Sequence, residues 1–241
     1  MSLAKESFAS RGVPSGEPGN QGKMAPGADK RHSPIATPGY PLILAGVVLI
    51  FLGVIGGWPY LTVLGLLSTG FFTYFFRDPE RAIPSEPGLV VSPADGRVVR
   101  VDEVADTEFQ SEPARRVAIF MNIFDVHVNR APVAGVVKEM RHQAGAYKAA
   151  FRPDVAKHNE QQALMLESQA GRPVLVVQIA GLLARRIIPY VKPGQQLARG
   201  ERVGMICFGS RVDLYLPPDG DIQVKVGDRL KAGSSIIGRC A

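Results

Sequence analysis

The sequence predicts a mainly β protein with minor α structure: a compact β-sandwich-like domain preceded by an apolar helical hairpin. Residues 40–76 contain no charged side chain, whereas from about residue 85 short apolar runs alternate with turn-forming residues. A Lys-x-Gly-x-x-Leu-x-x-Gly pattern occurs twice near the end of the chain. Hydrophobic residues make up 46% of the 241 residues, which is enough to build a core.

The first 39 residues form a separate segment. They are rich in Gly, Pro, Ser and Ala and show little hydrophobic periodicity. Such a composition buries too little apolar surface to offset the entropy of ordering the chain. We therefore expect a disordered tail over residues 1–39.

The uncharged segment 40–76 is divided by Gly56-Gly57-Trp58-Pro59 into residues 42–55 and 60–76. Each half is short of the roughly 20 residues that span a bilayer without tilt. The segment is therefore a hairpin that either dips into the membrane or crosses it twice; a buried hairpin in a soluble core is the alternative. Arg31, Arg77 and Arg81 flank it, so the positive-inside rule places both ends in the cytoplasm.

Residues 77–241 are predicted to form the β domain. The pattern that runs from Lys192 to Gly204 recurs from Lys225 to Gly238, an offset of 33 residues from Lys192 to Lys225. This alternation of turns and strands is typical of small β-sandwiches similar to biotinyl and lipoyl carrier domains. It predicts pseudo-symmetry between two such units.

The chain carries a net charge of +6 and has a pI of about 9.5. This charge suits nucleic acid or an anionic membrane, but no stripe interleaves aromatic with basic residues, which argues against a nucleic-acid partner. The two cysteines, Cys207 and Cys240, lie in no CxxC motif or Cys/His cluster. We expect free thiols in a reducing compartment, no metal site and no secretory signal.

Two polar segments interrupt the apolar runs ahead of the repeats. Ser92-Pro93-Ala94-Asp95-Gly96 has the composition of a type I turn, although an exposed Asp95 could instead orient a histidine. His127 lies in a largely apolar strand-like stretch two residues after Asp125. A histidine in this setting is either a hydrogen-bonded structural residue or a base.

A third segment contains Gly209-Ser210 between two β-like runs. Gly-Ser is ordinarily a hairpin turn or a bulge. It also suits an internal acyl shift, in which the serine hydroxyl attacks the preceding carbonyl. Glycine before the serine leaves that approach open and tolerates strained dihedral angles.

Five motifs together resemble the short bacterial form of phosphatidylserine decarboxylase. They are Phe75-Phe-Arg-Asp-Pro-Glu-Arg81, Ser92-Pro-Ala-Asp-Gly96, Asn122-Ile-Phe-Asp-Val-His-Val-Asn-Arg130, His158-Asn-Glu160 and Phe208-Gly-Ser-Arg-Val-Asp213. Each motif alone is weak, but all five stand in the family's order from about residue 75 onward. The apolar hairpin ahead of them also resembles the family's arrangement.

The resemblance implies a self-cleaving proenzyme. Ser210 attacks the Gly209 carbonyl, and elimination and hydrolysis leave a pyruvoyl group as the covalent cofactor. The products are a β chain, residues 1–209, and an α chain, residues 210–241. His127 matches the family's base, and Asp95 matches the acid that orients it. The pyruvoyl carbonyl forms a Schiff base with phosphatidylserine, and loss of CO₂ gives phosphatidylethanolamine.

The same resemblance implies an enzyme of phospholipid biosynthesis at the cytoplasmic face of the bacterial cell membrane. The longer bacterial enzymes have a second histidine at the position of Phe124, so headgroup contacts must come from other residues. His158, Arg185 and Arg186 are the candidates, with a solvated strand edge as the alternative interpretation. The oligomeric state stays open, and a homo-oligomer is one option.

Two other classes compete with this hypothesis. The first is a membrane-tethered carrier-like or adaptor domain without enzymatic activity, although the chain has no exposed Met-Lys-Met tip to modify. The second is a membrane-anchored metallopeptidase, which would need an HxH or HxxxD pair that the four histidines do not provide.

Overall fold

A computed structural model describes residues 33–105, 112–145, 159–181, 186–207 and 209–240. A single turn of 3-10 helix, Thr37–Gly39, leads into α1, Tyr40–Ile55, and α2 follows at Pro59–Phe75. Proline stands in the first turn of both α-helices, where its missing N–H costs nothing. Gly57, with φ of 67°, reverses the chain between them.

Small residues allow the two helices to pack closely. A Cβ on Gly46 would lie 2.4 Å from Thr69 Oγ1, and one on Gly53 would lie 2.5 Å from the backbone nitrogen of Thr62. On the other helix, a Cβ on Gly65 would meet the backbone nitrogen of Ile50 at 2.6 Å. Glycine is therefore required along this seam, as in helix pairs that associate in lipid.

In the rest of the described chain the regular elements are all β-strands, joined by turns and irregular connections. The strands are β1 Leu89–Val91, β2 Gly96–Val104, β3 Ala114–Met121, β4 Val128–Arg130, β5 Gly135–Gln143, β6 Gln161–Ser168, β7 Pro173–Ile179, β8 Ile187–Pro189, β9 Gln196–Leu197, β10 Arg202–Ile206, β11 Ser210–Leu216, β12 Asp221–Ile222, β13 Arg229–Leu230 and β14 Ile236–Arg239. All pairings between them are antiparallel.

The strands form three sheets whose orders reveal two matching halves. The large sheet runs β13-β2-β3-β11-β7-β6-β5-β9, so that β13 matches β9, β2 matches β5, β3 matches β6 and β11 matches β7. The small sheets, β1-β14-β12 and β4-β10-β8, match in the same way. The predicted fold class, a compact β domain with carrier-like repeats behind an apolar helical hairpin, is confirmed.

The two sequence repeats occupy equivalent places in these halves. Gly194 donates its backbone N–H to the carbonyl of Val137 at 2.7 Å, and Gly227 donates in the same way to Val98 at 2.8 Å. Both glycines have positive φ, 82° and 100°, which explains why the pattern retains glycine there. Each repeat thus supplies the short edge strand, β9 or β13, at one end of the large sheet.

The core lies on one face of the large sheet. Along β11, Val212, Leu214 and Leu216 join the main apolar cluster, whereas the alternate residues Arg211 and Asp213 point to the other face. Arg211 and Asp213 are buried and form a two-pronged ion pair at 2.5 and 2.6 Å. Ser210 lies two residues before Val212 in the same strand, so its side chain is on the same face of the sheet, toward the core.

Asp78 ties the hairpin to the β domain. Its carboxylate accepts from Arg130 Nη2 at 3.3 Å and from Arg202 Nε at 2.5 Å, and the side chains of all three are at most 11% exposed. Asp78 also donates its backbone N–H to the carbonyl of Pro34 at 2.7 Å. We call Asp78, Arg130 and Arg202 the Asp78 cluster.

Replacing Asp78 with alanine should lower the free energy of unfolding by about 3 kcal/mol, because two buried guanidinium groups lose their shared counter-ion. Glu80→Ala is the matched control: Glu80 pairs with the same Arg202 at 2.9 Å, but its side chain is 74% exposed. It should cost less than about 1 kcal/mol. Denaturant unfolding in detergent micelles, with Ser210→Ala added to keep the chain uncut, measures both losses. Equal losses would contradict the structural role assigned to the Asp78 cluster.

Candidate active site at the base of the hairpin

Ser210 is the first residue of β11 and is fully buried opposite Met121 of β3. Its hydroxyl donates to Met121 Sδ at 3.5 Å, a weak acceptor. The preceding Gly209 has φ of 59°, and a Cβ at this position would meet nothing within 4 Å. Glycine is therefore favoured at 209 by its backbone conformation and not by lack of space.

Two buried amides lie beside this serine. Asn129 donates through Nδ2 to the same Met121 Sδ at 3.6 Å, and Gln178 donates through Nε2 to Asn129 Oδ1 at 2.7 Å. The second bond fixes the orientation of the Asn129 amide, so that its N–H group points toward the sulfur and Ser210. Gln178 was not predicted from the sequence; its signal is a lone amide within the apolar run of β7.

His127 lies between the β domain and the hairpin. Its ring is fully buried, with its centroid 4.3 Å from that of Phe75 in the last turn of α2. Its backbone carbonyl accepts from the N–H of Ile206, in the strand that leads to Gly209 and Ser210. Within the described residues, neither ring nitrogen has a hydrogen-bond partner.

Burial lowers the pKa of His127 to about 4, and the nearby charge of Arg77 acts in the same direction. The backbone of Asp125 lies close enough to the ring to oppose these effects, although it does not meet the geometry of a hydrogen bond, and it does not outweigh them. His127 is consequently neutral at physiological pH. A neutral imidazole with a free nitrogen is able to accept a proton.

Asp95 lies in the connection between β1 and β2, and its described partners are Arg81 and the backbone of Ala232. Both carboxylate oxygens accept from Arg81 Nη2, at 3.0 and 2.8 Å, and Oδ1 also accepts from the backbone N–H of Ala232 at 2.8 Å. Burial raises the pKa of Asp95, while Ala232 and Arg81 counteract the effect. The described hydrogen bonds join Asp95 to neither His127 nor Ser210.

Phe124 is held at the surface close to the hairpin. Its carbonyl accepts from Arg77 Nη2 at 2.6 Å and from the Tyr74 hydroxyl at 3.3 Å, both at the end of α2. Its own side chain is 64% exposed. The β3–β4 connection that carries His127 is therefore fastened directly to the base of the hairpin.

Of the predicted headgroup contacts, only Arg186 can be described, because His158 and Arg185 lie outside the described residues. Arg186 is exposed, and its backbone carbonyl accepts from Cys207 at 3.4 Å, two residues before Gly209. Burial raises the pKa of Cys207, and the charge of Arg186 opposes that shift. Cys207 and Cys240 are both free thiols.

The fold and the site together define a pseudo-symmetric β domain with a buried serine at the start of β11 and a buried neutral histidine at the base of an apolar hairpin. The family model described as phosphatidylserine decarboxylase matches residues 68–238. The chain belongs to the phosphatidylserine decarboxylase family.

Curated relatives support this assignment over nearly their whole length. The chain is 46% identical to the phosphatidylserine decarboxylase proenzyme of Symbiobacterium thermophilum, over 88% of this chain and 98% of the relative. It is 41% identical to the proenzyme of Desulfotalea psychrophila, over 86% and 96%. The predicted resemblance and the predicted enzyme class are thus confirmed, in preference to the adaptor and metallopeptidase alternatives.

Proposed function

We propose that the chain is a proenzyme that cuts itself between Gly209 and Ser210 and then decarboxylates phosphatidylserine to phosphatidylethanolamine. The observation that carries the proposal is the buried Ser210, which follows a left-handed glycine, together with a buried, neutral His127 whose backbone carbonyl is bonded to Ile206 of β10, the strand that leads to Ser210. The printed names of the relatives, which describe a proenzyme, agree with this chemistry.

Self-cleavage begins with attack of Ser210 Oγ on the carbonyl carbon of Gly209. The hydroxyl proton passes to His127, the C–N bond of the peptide breaks, and the freed nitrogen of Ser210 takes up a proton, leaving an ester. Loss of the Ser210 α-proton then expels the Gly209 carboxylate and leaves a dehydroalanine. Hydrolysis of this residue releases ammonia and leaves a pyruvoyl group.

The residues around Ser210 fit such a group. Met121 lies opposite Ser210, and among the described residues the acceptor of the Asn129 N–H is a thioether sulfur, so this donor is available to a carbonyl oxygen. When formed, the pyruvoyl group supplies an electron-withdrawing carbonyl that accepts the electrons released as CO₂ leaves. Complete burial limits the access of bulk water to Ser210 and His127, and the hydrolysis step needs a single water molecule there.

His127 acts as the base on Ser210 in this proposal, and Asp95 orients it. The Asp95 carboxylate offers about four acceptor positions, of which Arg81 and Ala232 use three. Oδ2 therefore retains capacity for one further donor. Arg81 would keep the carboxylate ionised while His127 takes up the proton.

The substrate has two acyl chains, so the active site must work at a bilayer. The exposed apolar side chains of α1 and α2 make the hairpin a membrane attachment, and the basic chain favours an anionic headgroup layer. Arg186 is exposed beside the cleavage segment and could pair with the lipid phosphate or carboxylate, a role that we also extend to His158 and Arg185. We accordingly assign the enzyme to the cytoplasmic face of the bacterial cell membrane.

Intact-mass measurement and a vesicle assay on the purified full-length protein test the proposal together. We expect two chains, residues 1–209 and 210–241, with the shorter one blocked to Edman degradation, and release of CO₂ from phosphatidylserine vesicles. An active preparation made only of intact chains would refute the cleavage mechanism. A fully cleaved preparation that leaves phosphatidylserine unchanged would refute the substrate.

The pKa of His127 also predicts how stability depends on pH. Since the folded value of about 4 lies below the ordinary 6.5, the unfolded chain binds a proton between these pH values that the folded chain does not. Stability contributed by neutral His127 is thus complete above pH 6.5 and is lost as the pH falls toward 4, by about 3 kcal/mol. Adding His127→Leu to the uncut Ser210→Ala protein should flatten this part of the profile in denaturant unfolding. If the stability of the two proteins changed with pH in the same way, the assignment of a neutral, buried imidazole would be contradicted.

A further inference from the structure

The outer surface of the hairpin is uncharged on every side and mostly apolar. Leu44 and Phe51 of α1 and Leu67 of α2 are 63%, 63% and 69% exposed, and the helices contain no charged residue. A helix that lies flat on a membrane needs one polar face for water. Lying in the plane of the headgroups would leave apolar side chains of this hairpin in water, so that orientation is disfavoured.

Aromatic residues of the kind found at membrane interfaces stand at both ends of the hairpin. Trp58 and Tyr60 lie at the turn and are 60% and 90% exposed, whereas Tyr40 and Tyr74 lie at the base and are about half exposed. Trp and Tyr concentrate at headgroup level on both sides of a bilayer. The two pairs therefore mark two interfaces.

The turn also contains polar groups that hydrocarbon would leave unsatisfied. In the described part of the chain, the carbonyls of Gly56 and Gly57 accept no hydrogen bond, and the Trp58 indole N–H donates none. Each such group costs several kcal/mol in the bilayer core. A hairpin that dips only to the midplane would place all three there, whereas a headgroup layer would satisfy them.

The helices are long enough to bring the turn to the far side. At 1.5 Å per residue, the 16 residues of α1 and 17 of α2 extend about 24–26 Å. The hydrocarbon core is about 30 Å thick, and a shortfall of a few Å is met by local thinning at fractions of a kcal/mol per Å. The base is fixed at the near surface, where Arg77 stacks on Tyr74 at 4.0 Å and binds the carbonyl of Phe124.

We propose that the hairpin crosses the bilayer twice and places the turn at Trp58 in the headgroup layer of the opposite leaflet. This inference rests on the membrane attachment included in the proposed function. It identifies the partner of the hairpin as the full thickness of a lipid bilayer, with both ends of the hairpin on the side of the β domain.

Trp58 is the only tryptophan of the chain, so the unmodified protein carries its own reporter. Full-length protein is reconstituted into phosphatidylcholine–phosphatidylserine vesicles. Digestion of an aliquot by external protease identifies the preparations whose β domain faces outward, and the undigested remainder is used. Iodide trapped inside should quench Trp58 fluorescence at least twofold more than iodide added outside. Lipids brominated near the headgroup should quench it more than lipids brominated near the end of the acyl chain.

A double variant, Trp58→Phe with Phe124→Trp, moves the reporter to the base and should be quenched by external iodide. Strongest quenching of Trp58 by chain-end bromines, without quenching from the lumen, would overturn the inference in favour of a hairpin that dips to the midplane. Cleavage and CO₂ release are measured on the same vesicles. If the protein is active but the quenching shows a hairpin that dips to the midplane, only the crossing is refuted. If the protein is inactive but Trp58 is quenched from the lumen, only the proposed function is refuted.

Discussion

Ser210→Ala should yield a chain that stays at its full length of 241 residues and releases no CO₂ from phosphatidylserine above background. The reason is that the hydroxyl is required once, to form the ester with Gly209, and alanine offers no other nucleophile. Because the side chain is buried and, among the described residues, donates to the weak acceptor Met121 Sδ, removing the hydroxyl should change the stability of the uncut chain by no more than about 1 kcal/mol. Intact mass measures the cleavage, the vesicle assay measures CO₂ release, and denaturant unfolding followed by circular dichroism measures the stability.

The chain provides a matched control in its second Gly-Ser pair, Gly233-Ser234. Gly233 also has a positive φ, 76°, but Ser234 lies in a turn and not at the start of a buried central strand. Ser234→Ala should therefore be cut at 209/210 like the unmodified chain. Cleavage of Ser210→Ala at that bond would show that another group attacks Gly209.

His127→Ala should slow self-cleavage by about 100-fold to 10,000-fold, the range that a positioned general base contributes. The imidazole is neutral because burial lowers its pKa to about 4, so it can accept the proton of Ser210 across the physiological pH range. For the same reason, the cleavage rate of the unmodified chain should change little between pH 8 and about 5. A time course of the two chain masses after denatured precursor is refolded measures both quantities.

His142→Ala is the control for this change. His142 is about half exposed, and its Nε2 lies 3.0 Å from Glu160 Oε1 at the surface of the large sheet. This variant should cleave at the normal rate. Equal slowing of both variants, or normal cleavage of His127→Ala, would remove His127 from the mechanism.

Much of the fold could be predicted from local patterns. The uncharged run with Gly56-Gly57-Trp58-Pro59 in its middle predicts two helices and their turn, because this pattern depends only on neighbours in the chain. The recurrence of Lys192-Pro193-Gly194 as Lys225-Val226-Gly227 predicts the matching halves of the β domain. The location of Gly209-Ser210 at a boundary between strands was readable for the same reason.

The contacts of the site could not be predicted, since they join residues that are distant in the sequence. Arg81 was considered as a flanking positive charge and as the end of a family motif, and neither indicates that it holds the Asp95 carboxylate. Asp78 was one letter of a family motif, and its structural role depends on Arg130 and Arg202, which come from different strands. Gln178 reaches Asn129 across sheets, and no local pattern indicates this.

The position of β11 has a consequence for the life of the cut protein. This strand pairs with β3 along its whole length and with β7 on its other side, while β12, β13 and β14 lie in two different sheets. After cleavage before Ser210, the fragment 210–241 still provides strands to two sheets of the domain. It therefore cannot dissociate unless the domain unfolds. Once denatured and separated, however, the two pieces must find each other in solution, and the entropic advantage of one continuous chain is gone. The mature protein should thus persist because its unfolding barrier is high and not because it refolds reversibly. It folds once, as a single chain, and molecules that later unfold are lost.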